Sequence, residues 1–553
     1  MKRLLKPLSI AFALSLVLAP IAGAGAQGLP GSYWWTSFQV QNVTTGSGSL
    51  SLVAYPQDTA GSPTTYSSDS FTINAGSGLT YNPGFAPNYS TGGNRVGFCA
   101  SAANCDSADD DTLPVGFSGS VIASADVNIV AVSMVANSLN GTVGNSNGHA
   151  GGDYSGISGP AAELLFPLAK HNFGGNTLAY YVQAIGGDAA VTMTYTMNDA
   201  TTHTESLTIP ANRMHLFDPA NATPVVASSS CGAAATSPCL GSAKLVASSG
   251  EVAGIALEFP EAPPSGYAVI LGASKGFAPA DYSSTILAPV FKYDFPNAST
   301  GNWSGWSLQN TTGSTAHVDI TFTVVRSFNG AAPIGTTYLQ HVDIPPFKQE
   351  TLSKYRGNIG GMLSGVMCAG VAVSDQPLVG VTNESNSNAG GTPYLSTFND
   401  FAPSLATTVV AAPLVKEFFP GGMAATNKNG TSVTVMNTSS TTNASIMLKY
   451  VAVGGSGAPA GTTYYVTIGV GQGIGGTQLL GPNASYVFNM VSDPARASMY
   501  APTNGSLTLP PANVNYAVTV TADQNVIALM QEDNKTTGTP NDLMNYEGFN
   551  LAP

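Results

Sequence analysis

Trp306-Ser307-Leu308-Gln309-Asn310, a Thr/Gly turn, and Val318-Asp319-Ile320-Thr321-Phe322 decide the fold, because the same pair of segments recurs along the chain. It stands earlier as Phe38-Gln39-Val40-Gln41-Asn42 with Leu50-Ser51-Leu52-Val53-Ala54-Tyr55, and later as Val433-Thr434-Val435-Met436-Asn437 with Ile446-Met447-Leu448-Lys449-Tyr450. The remaining copy, Tyr180-Tyr181-Val182-Gln183-Ala184 with Val191-Thr192-Met193-Thr194-Tyr195, lacks the Asn. Val318, Ile320, Phe322 and Val324 alternate with His317, Asp319, Thr321 and Thr323. A period of two sends one set into a core and the other into water, which predicts half-buried β-strands.

Other segments keep step with these. Phe71-Thr72-Ile73, Leu207-Thr208-Ile209 and Val342-Asp343-Ile344 share one place in the repeat. Asn128-Ile129-Val130-Ala131-Val132, Val252-Ala253-Gly254-Ile255-Ala256, Pro377-Leu378-Val379-Gly380-Val381 and Asn525-Val526-Ile527-Ala528-Leu529 share another. Junctions repeat as Leu165-Phe166-Pro167-Leu168, Leu287-Ala288-Pro289-Val290 and Ala412-Pro413-Leu414-Val415, with Pro spacings of 122 and 124. Proline removes a ladder donor, so each junction strand is expected at a sheet edge or between domains. An aromatic signal marks each repeat's end, as in Gly276-Phe277 and Tyr546-Glu547-Gly548-Phe549. Units of this length with about seven or eight strands predict an all-β chain of four tandem Ig-like antiparallel β-sandwich domains. Propeller blades are the rival, but their repeats are roughly 40–50 residues. The expected division is a leader at 1–26 and repeats at 27–160, 161–283, 284–406 and 407–553, each closing its own core. A linear array of such beads would reach on the order of 150 Å.

The leader reading rests on Lys2, Arg3 and Lys6, an uncharged apolar run from Leu8 to Ile21, and Ala24-Gly25-Ala26 before Gln27. The rival is an uncleaved membrane anchor, for which the run is short. Removing three basic residues leaves 15 Lys and Arg against 31 Asp and Glu, a net −16. That balance argues against a nucleic-acid partner. No later run is long enough to span a membrane. Only 9% of residues are charged, so Ser, Thr, Asn and Gly must supply the polar surface, a composition suited to secreted β-proteins.

Five cysteines fit an exported chain. Cys99 with Cys105, and Cys231 with Cys239, read as two small disulfide loops, because neither pair has the second pair or His cluster of a metal site. Cys368 is left as a buried free thiol.

Catalytic signals are weak. Gly144-Asn145-Ser146-Asn147-Gly148 has nucleophile-elbow spacing beside His149 but no following helix. Asp106, Asp109, Asp110 and Asp111 form an acidic cluster without the spacing of a calcium loop. The histidines at 149, 171, 203, 215, 317 and 341 show no ligand spacing, although His203 and His215 are candidates to meet in the fold. Trp34 and Trp35 are adjacent, so one should face solvent and offer a ring to a glycan. Trp306 takes the strand place of Phe38 and should be core. Asn42, Asn88, Asn140, Asn302, Asn310, Asn429 and Asn534 fit the N-glycosylation pattern.

Gly116-Phe117-Ser118-Gly119-Ser120 followed by Asn128-Ile129-Val130-Ala131-Val132 resembles repeats of secreted proteins of filamentous bacteria, and the chain as a whole resembles tandem Ig-like repeat proteins of bacterial cell surfaces. The resemblance implies coats, stalks, filaments or adhesins, and carries no catalytic residues or cofactor. The expectation is a non-enzymatic secreted cell-surface or matrix protein acting as coat or filament subunit, spacer or adhesive stalk. Its partners would be copies of itself, other surface components or glycans. The alternatives are a glycan- or protein-binding adhesin module and a secreted hydrolase with a site between repeats.

Overall fold

The structure is a computed structural model. It describes residues 12–18, 28–30, 34–58, 64–83, 95–99, 110–111, 113–114, 116–138, 149–229, 231, 236–262, 270–296, 301–386, 395–417, 419–420, 428–468, 479–488, 510–534 and 544–551. Among them there is no α-helix, and every ladder between strands is antiparallel. The chain is all-β, built of sandwich-like units, as the alternation predicts.

The first repeat is a sandwich of two sheets. One orders Phe12–Leu18, Gly119–Ala125, Gly48–Pro56 and Tyr66–Ser67, and the other His149–Ser155, Ile129–Ser138, Trp34–Asn42 and Gly78–Tyr81. In the second repeat the paired arms fuse into two long strands, Asn176–Met197 and Leu240–Pro260, that pass from one layer to the other. Their ladder breaks between Ile185 and Ala190, where Gly186 takes φ 74° and Gly250 takes φ 76°. A Cβ on Gly250 would lie 2.5 Å from the Asp188 carbonyl oxygen, so the corner admits glycine alone.

The missing Asn of that repeat now has a physical meaning. Asn42 donates from Nδ2 to the carbonyls of Gly46 (2.7 Å) and Ile73 (3.1 Å) and accepts from the Thr44 amide (2.8 Å). Asn310 makes the same bonds to Ser314, Ile344 and Thr312, and Asn437 to Thr442, Leu480 and Ser439. The Asn holds a turn where the strand is broken; Ala184 stands where it runs on. Asn42 and Asn310 are fully buried, so the folded protein closes these two glycosylation patterns to modification.

Each repeat has its own apolar core. Val318, Ile320, Phe322 and Val324 sit in that of the third, around Trp306, and Val191, Met193, Tyr195 and Met197 in that of the second. Pro167, Pro289 and Pro413 each fall in a bulge of their junction strand, Glu163–Lys170, Ser283–Tyr293 and Thr407–Glu417, which pairs over that stretch with one long strand only.

The repeats do not form a linear array; they close into a ring. The second repeat's junction strand packs on Asn302–Asn310 and Val366–Asn386 of the third. The third's packs on Lys428–Asn437 and Val514–Asn534 of the fourth, and the fourth's on Trp34–Asn42 and Ile129–Ser138 of the first. A head-to-tail contact whose rotation closes makes a ring. Four equivalent strands late in each repeat, His149–Ser155, Gly272–Lys275, Leu395–Asn399 and Met544–Glu547, meet around its axis in cyclic order. The cores are correspondingly not private. Trp34, Val135 and Tyr154 cluster with Tyr181, Ile255 and Leu257 of the second repeat, and Leu287 and Phe401 with Met436 and Ile527 of the fourth. Fully burying an aliphatic or Phe side chain is worth about 1.5–3 kcal/mol relative to leaving it exposed, so these shared clusters favour closure.

The same closure corrects the reading of Trp34 and Trp35. All nine residues of Trp34–Asn42 are buried, because the strand has its own core on one side and a neighbouring repeat on the other. Trp34 donates from Nε1 to the Pro30 carbonyl (3.0 Å), and Trp35 packs on Met134 and Ala136. Neither ring faces solvent.

Candidate functional site

The axis is where the ring brings chemistry together. The final residues of the four axial strands are Ser155, Lys275, Asn399 and Glu547. They hold equivalent places, opposite Val132, Ile255, Val381 and Leu529 on the long strands. Glu547 joins the other three. Its Oε2 accepts from Ser155 Oγ (2.8 Å) and lies 3.4 Å from Lys275 Nζ, and its Oε1 accepts from the Asn399 amide (2.6 Å). Asn399 in turn donates from Nδ2 to the Lys275 carbonyl and accepts from the Lys275 amide, both at 2.8 Å.

A pocket of about 330 Å³ opens on this hub, with Lys275, Asp281, Asp400, Glu547, Phe277 and Phe401 among its walls. Phe277, Phe401 and Phe549 are the aromatic end-of-repeat signals, with Ile157 in the first repeat's place. Burial pushes Asp400 well above the ordinary carboxylate range, against the Thr382 hydroxyl bonded to it at 2.9 Å; the Glu547 carboxylate pushes it further up. Burial likewise raises Asp281, which caps the turn at Pro279–Asp281 by accepting from the Ala278 amide at 2.8 Å. The site presents the Lys275 ammonium and the carboxyl groups of Asp281, Asp400 and Glu547 to a space of small-molecule size.

A second set of buried polar groups lines the seams. Lys170, Lys292 and Lys416, each three residues past its junction Pro, pair with Glu258 (2.5 Å), Glu384 (2.9 Å) and Glu532 (2.6 Å). Glu258 also accepts from Asn383 of the third repeat at 2.6 Å, and Glu384 from Gln531 of the fourth at 2.9 Å. The first repeat has Val135 at this place, within an apolar seam.

Asp58 and His215 tie the first repeat to the second, with Nδ1 2.6 Å from Asp58 Oδ2 and Nε2 3.7 Å from Glu205. Burial opposes charge on His215, but the two carboxylates outweigh it and raise the group to about 9. Because that lies above the unfolded value near 6.5, the stabilisation is fully present below pH ~6.5 and is lost as pH rises through ~9. Discounted for partial solvent screening, the loss is on the order of 2 kcal/mol. Thermal melts should fall across this window in the native protein and stay flatter in His215→Gln.

Other sequence candidates separate. His203 does not meet His215; it bonds the Pro224 carbonyl (2.7 Å) and the Thr201 hydroxyl (3.0 Å). Cys231 and Cys239 are bonded, with Cα atoms 5.6 Å apart. Cys105, the expected partner of Cys99, lies outside the described residues, as do Ser146, Asp106 and Asp109. Cys368 is a buried free thiol that burial pushes up to about 12, well away from reactivity at neutral pH. Sequence reading missed the axial quartet, since its four residue types differ. The signal available was position, immediately before each Gly-Phe, Asp-Phe or Gly-Ile.

No family model matches the chain, and no curated protein matches it. The solved structure titled "Crystal Structure of Thermotoga maritima 1070" is similar over 21% of this chain and 91% of that chain, with 20% identity and a TM-score of 0.17. A likeness at that level indicates nothing about activity.

Proposed function

We propose that this chain is a secreted, non-enzymatic building block of a cell-surface or matrix layer, assembled by strand addition at its first repeat. The observation that carries this is the occupant of one sheet edge. In the second, third and fourth repeats, the long strand is covered by that repeat's own Pro-bearing junction strand. In the first repeat the corresponding edge, Gly119–Ala125, pairs instead with residues 12–18, Phe12 opposite Ala125 and Leu18 opposite Gly119. Those residues are the apolar centre of the segment that reads as an export leader. Cleavage after Ala26 removes them and leaves a seven-residue edge with unpaired backbone groups, a template for a strand from another copy.

The test compares the exported protein with the full chain. N-terminal sequencing of exported material should begin at Gln27, and negative-stain imaging should show it as multimers. A synthetic peptide of residues 10–20 should cap the edge and return monomers. Exported protein that stays dispersed at high concentration, or that retains residues 12–18, removes the reading.

A further inference from the structure

We infer that the outer face of the third repeat carries a binding site for a divalent transition metal ion of the zinc class, built from His317, His341 and Asp343. The sequence places His-Val-Asp twice, at 317–319 and 341–343, on the adjacent strands Ala316–Ser327 and Thr337–Ile344. The antiparallel register sets His317 opposite Asp343 and Asp319 opposite His341. The intervening Val318 and Val342 pack on the core, so the pleat directs all four polar side chains outward onto one patch.

Their geometry is that of a ligand set. His317 Nδ1 lies 2.7 Å and His341 Nε2 3.3 Å from Asp343 Oδ1, and His341 Nδ1 lies 2.8 Å from Asp319 Oδ1. One ligand atom from each of His317, His341 and Asp343 falls within 4.8 Å of the others. A tetrahedral zinc ion takes nitrogen and carboxylate ligands at about 2.0–2.2 Å, so small side-chain rotations suffice, with water completing the shell. Asp319 holds the far nitrogen of His341 and so sets its tautomer and orientation, the part a second carboxylate plays at such sites. Imidazole with carboxylate favours zinc or copper over calcium or magnesium, which prefer oxygen alone.

The fold itself does not require these groups. In the second repeat the cross-strand places of Asp319 and His341 are held by Thr192 and Ser206, whose hydroxyls bond at 2.8 Å. The places of His317 and Asp343 are held there by Ala190 and Thr208. Neutral residues therefore satisfy the same hairpin, and the two histidines and two carboxylates are an addition particular to the third repeat. The spacing was invisible in sequence because each His has its ligand partner on the neighbouring strand.

The test titrates zinc sulfate into the full chain against a chromogenic competing chelator. One ion per chain is expected. His341→Gln and Asp343→Asn should each weaken binding by about tenfold or more, while His203→Gln leaves it unchanged. With copper, electron paramagnetic resonance should show coupling to two nitrogens, reduced to one in His317→Gln. These side chains are exposed, so the variants keep the native circular dichroism. Absence of saturable binding near one equivalent, or unchanged binding in the His317→Gln/His341→Gln double variant, overturns the site. Neither outcome depends on strand addition at the first repeat.

Discussion

Replacing Glu384 with Ala should destabilise the protein by about 3–5 kcal/mol, the cost of leaving a buried charge without its partner. Glu384 is fully buried, and Lys292, whose ammonium it holds at 2.9 Å, is 8% exposed. The loss is not confined to one repeat, because Gln531 Nε2 (2.9 Å) and Asn545 Nδ2 (3.4 Å) of the fourth repeat also donate to this carboxylate. Glu384→Ala should therefore loosen the seam between the third and fourth repeats as well as the third itself. The double variant Lys292→Met/Glu384→Leu should recover much of the loss, since it removes both desolvated charges. Urea unfolding followed by tryptophan fluorescence checks this, as Trp303 and Trp306 lie in the third repeat. A double variant no more stable than Glu384→Ala would show that the pair matters through its bonds to Gln531 and Asn545, not through charge.

Trp306→Val should cost a comparable amount, about 3–5 kcal/mol, through the cavity it leaves. The ring is completely buried and meets Phe322 edge-on at 5.7 Å. It fits because Gly370 lies across from Phe322; a Cβ there would approach the indole to 2.8 Å. The fourth repeat solves the same packing the other way, with Val433 in the place of Trp306 and Val518, opposite Tyr450, in the place of Gly370. Gly370→Val alone should thus be destabilising by overpacking, about 1–3 kcal/mol. Combined with Trp306→Val, the two should be less harmful than their sum, a coupling read from a double-mutant cycle by denaturation. Strict additivity would mean that the two sites do not share one space.

The alternation that decided the fold was legible because each repeat does have a core, and Val318, Ile320 and Phe322 point into it. What that pattern could not convey is the destination of the other face. Gln39, Tyr181, Ser307 and Thr434 hold one equivalent place and read, apart from the tyrosine, as solvent-facing; all four are buried, Gln39 bonding Pro413 of the fourth repeat and Tyr181 clustering with Trp34 of the first. Hydroxyl and amide side chains serve a wet surface and a hydrogen-bonded seam equally well, so composition does not separate the two. The junction prolines were the clearest pointer. Pro413 sits in a bulge, and its carbonyl accepts from Gln39 of the first repeat. An edge strand between two domains was foreseeable there; that the last repeat would return to the first was not, because closure depends on rotation angles that no short motif encodes.

Four separate, identical subunits arranged about an axis would be obliged to present the same side chain four times, and four lysines or four glutamates crowded together repel. Joining the copies in one polypeptide lifts that obligation. Each copy can drift independently, and here a hydroxyl and an ammonium meet the Glu547 carboxylate, while the Asn399 side-chain amide holds the Lys275 backbone. The order in which the copies follow one another has thereby become meaningful: exchanging the second for a duplicate of the fourth would set two acids facing each other across the axis and lose the only cation of the quartet.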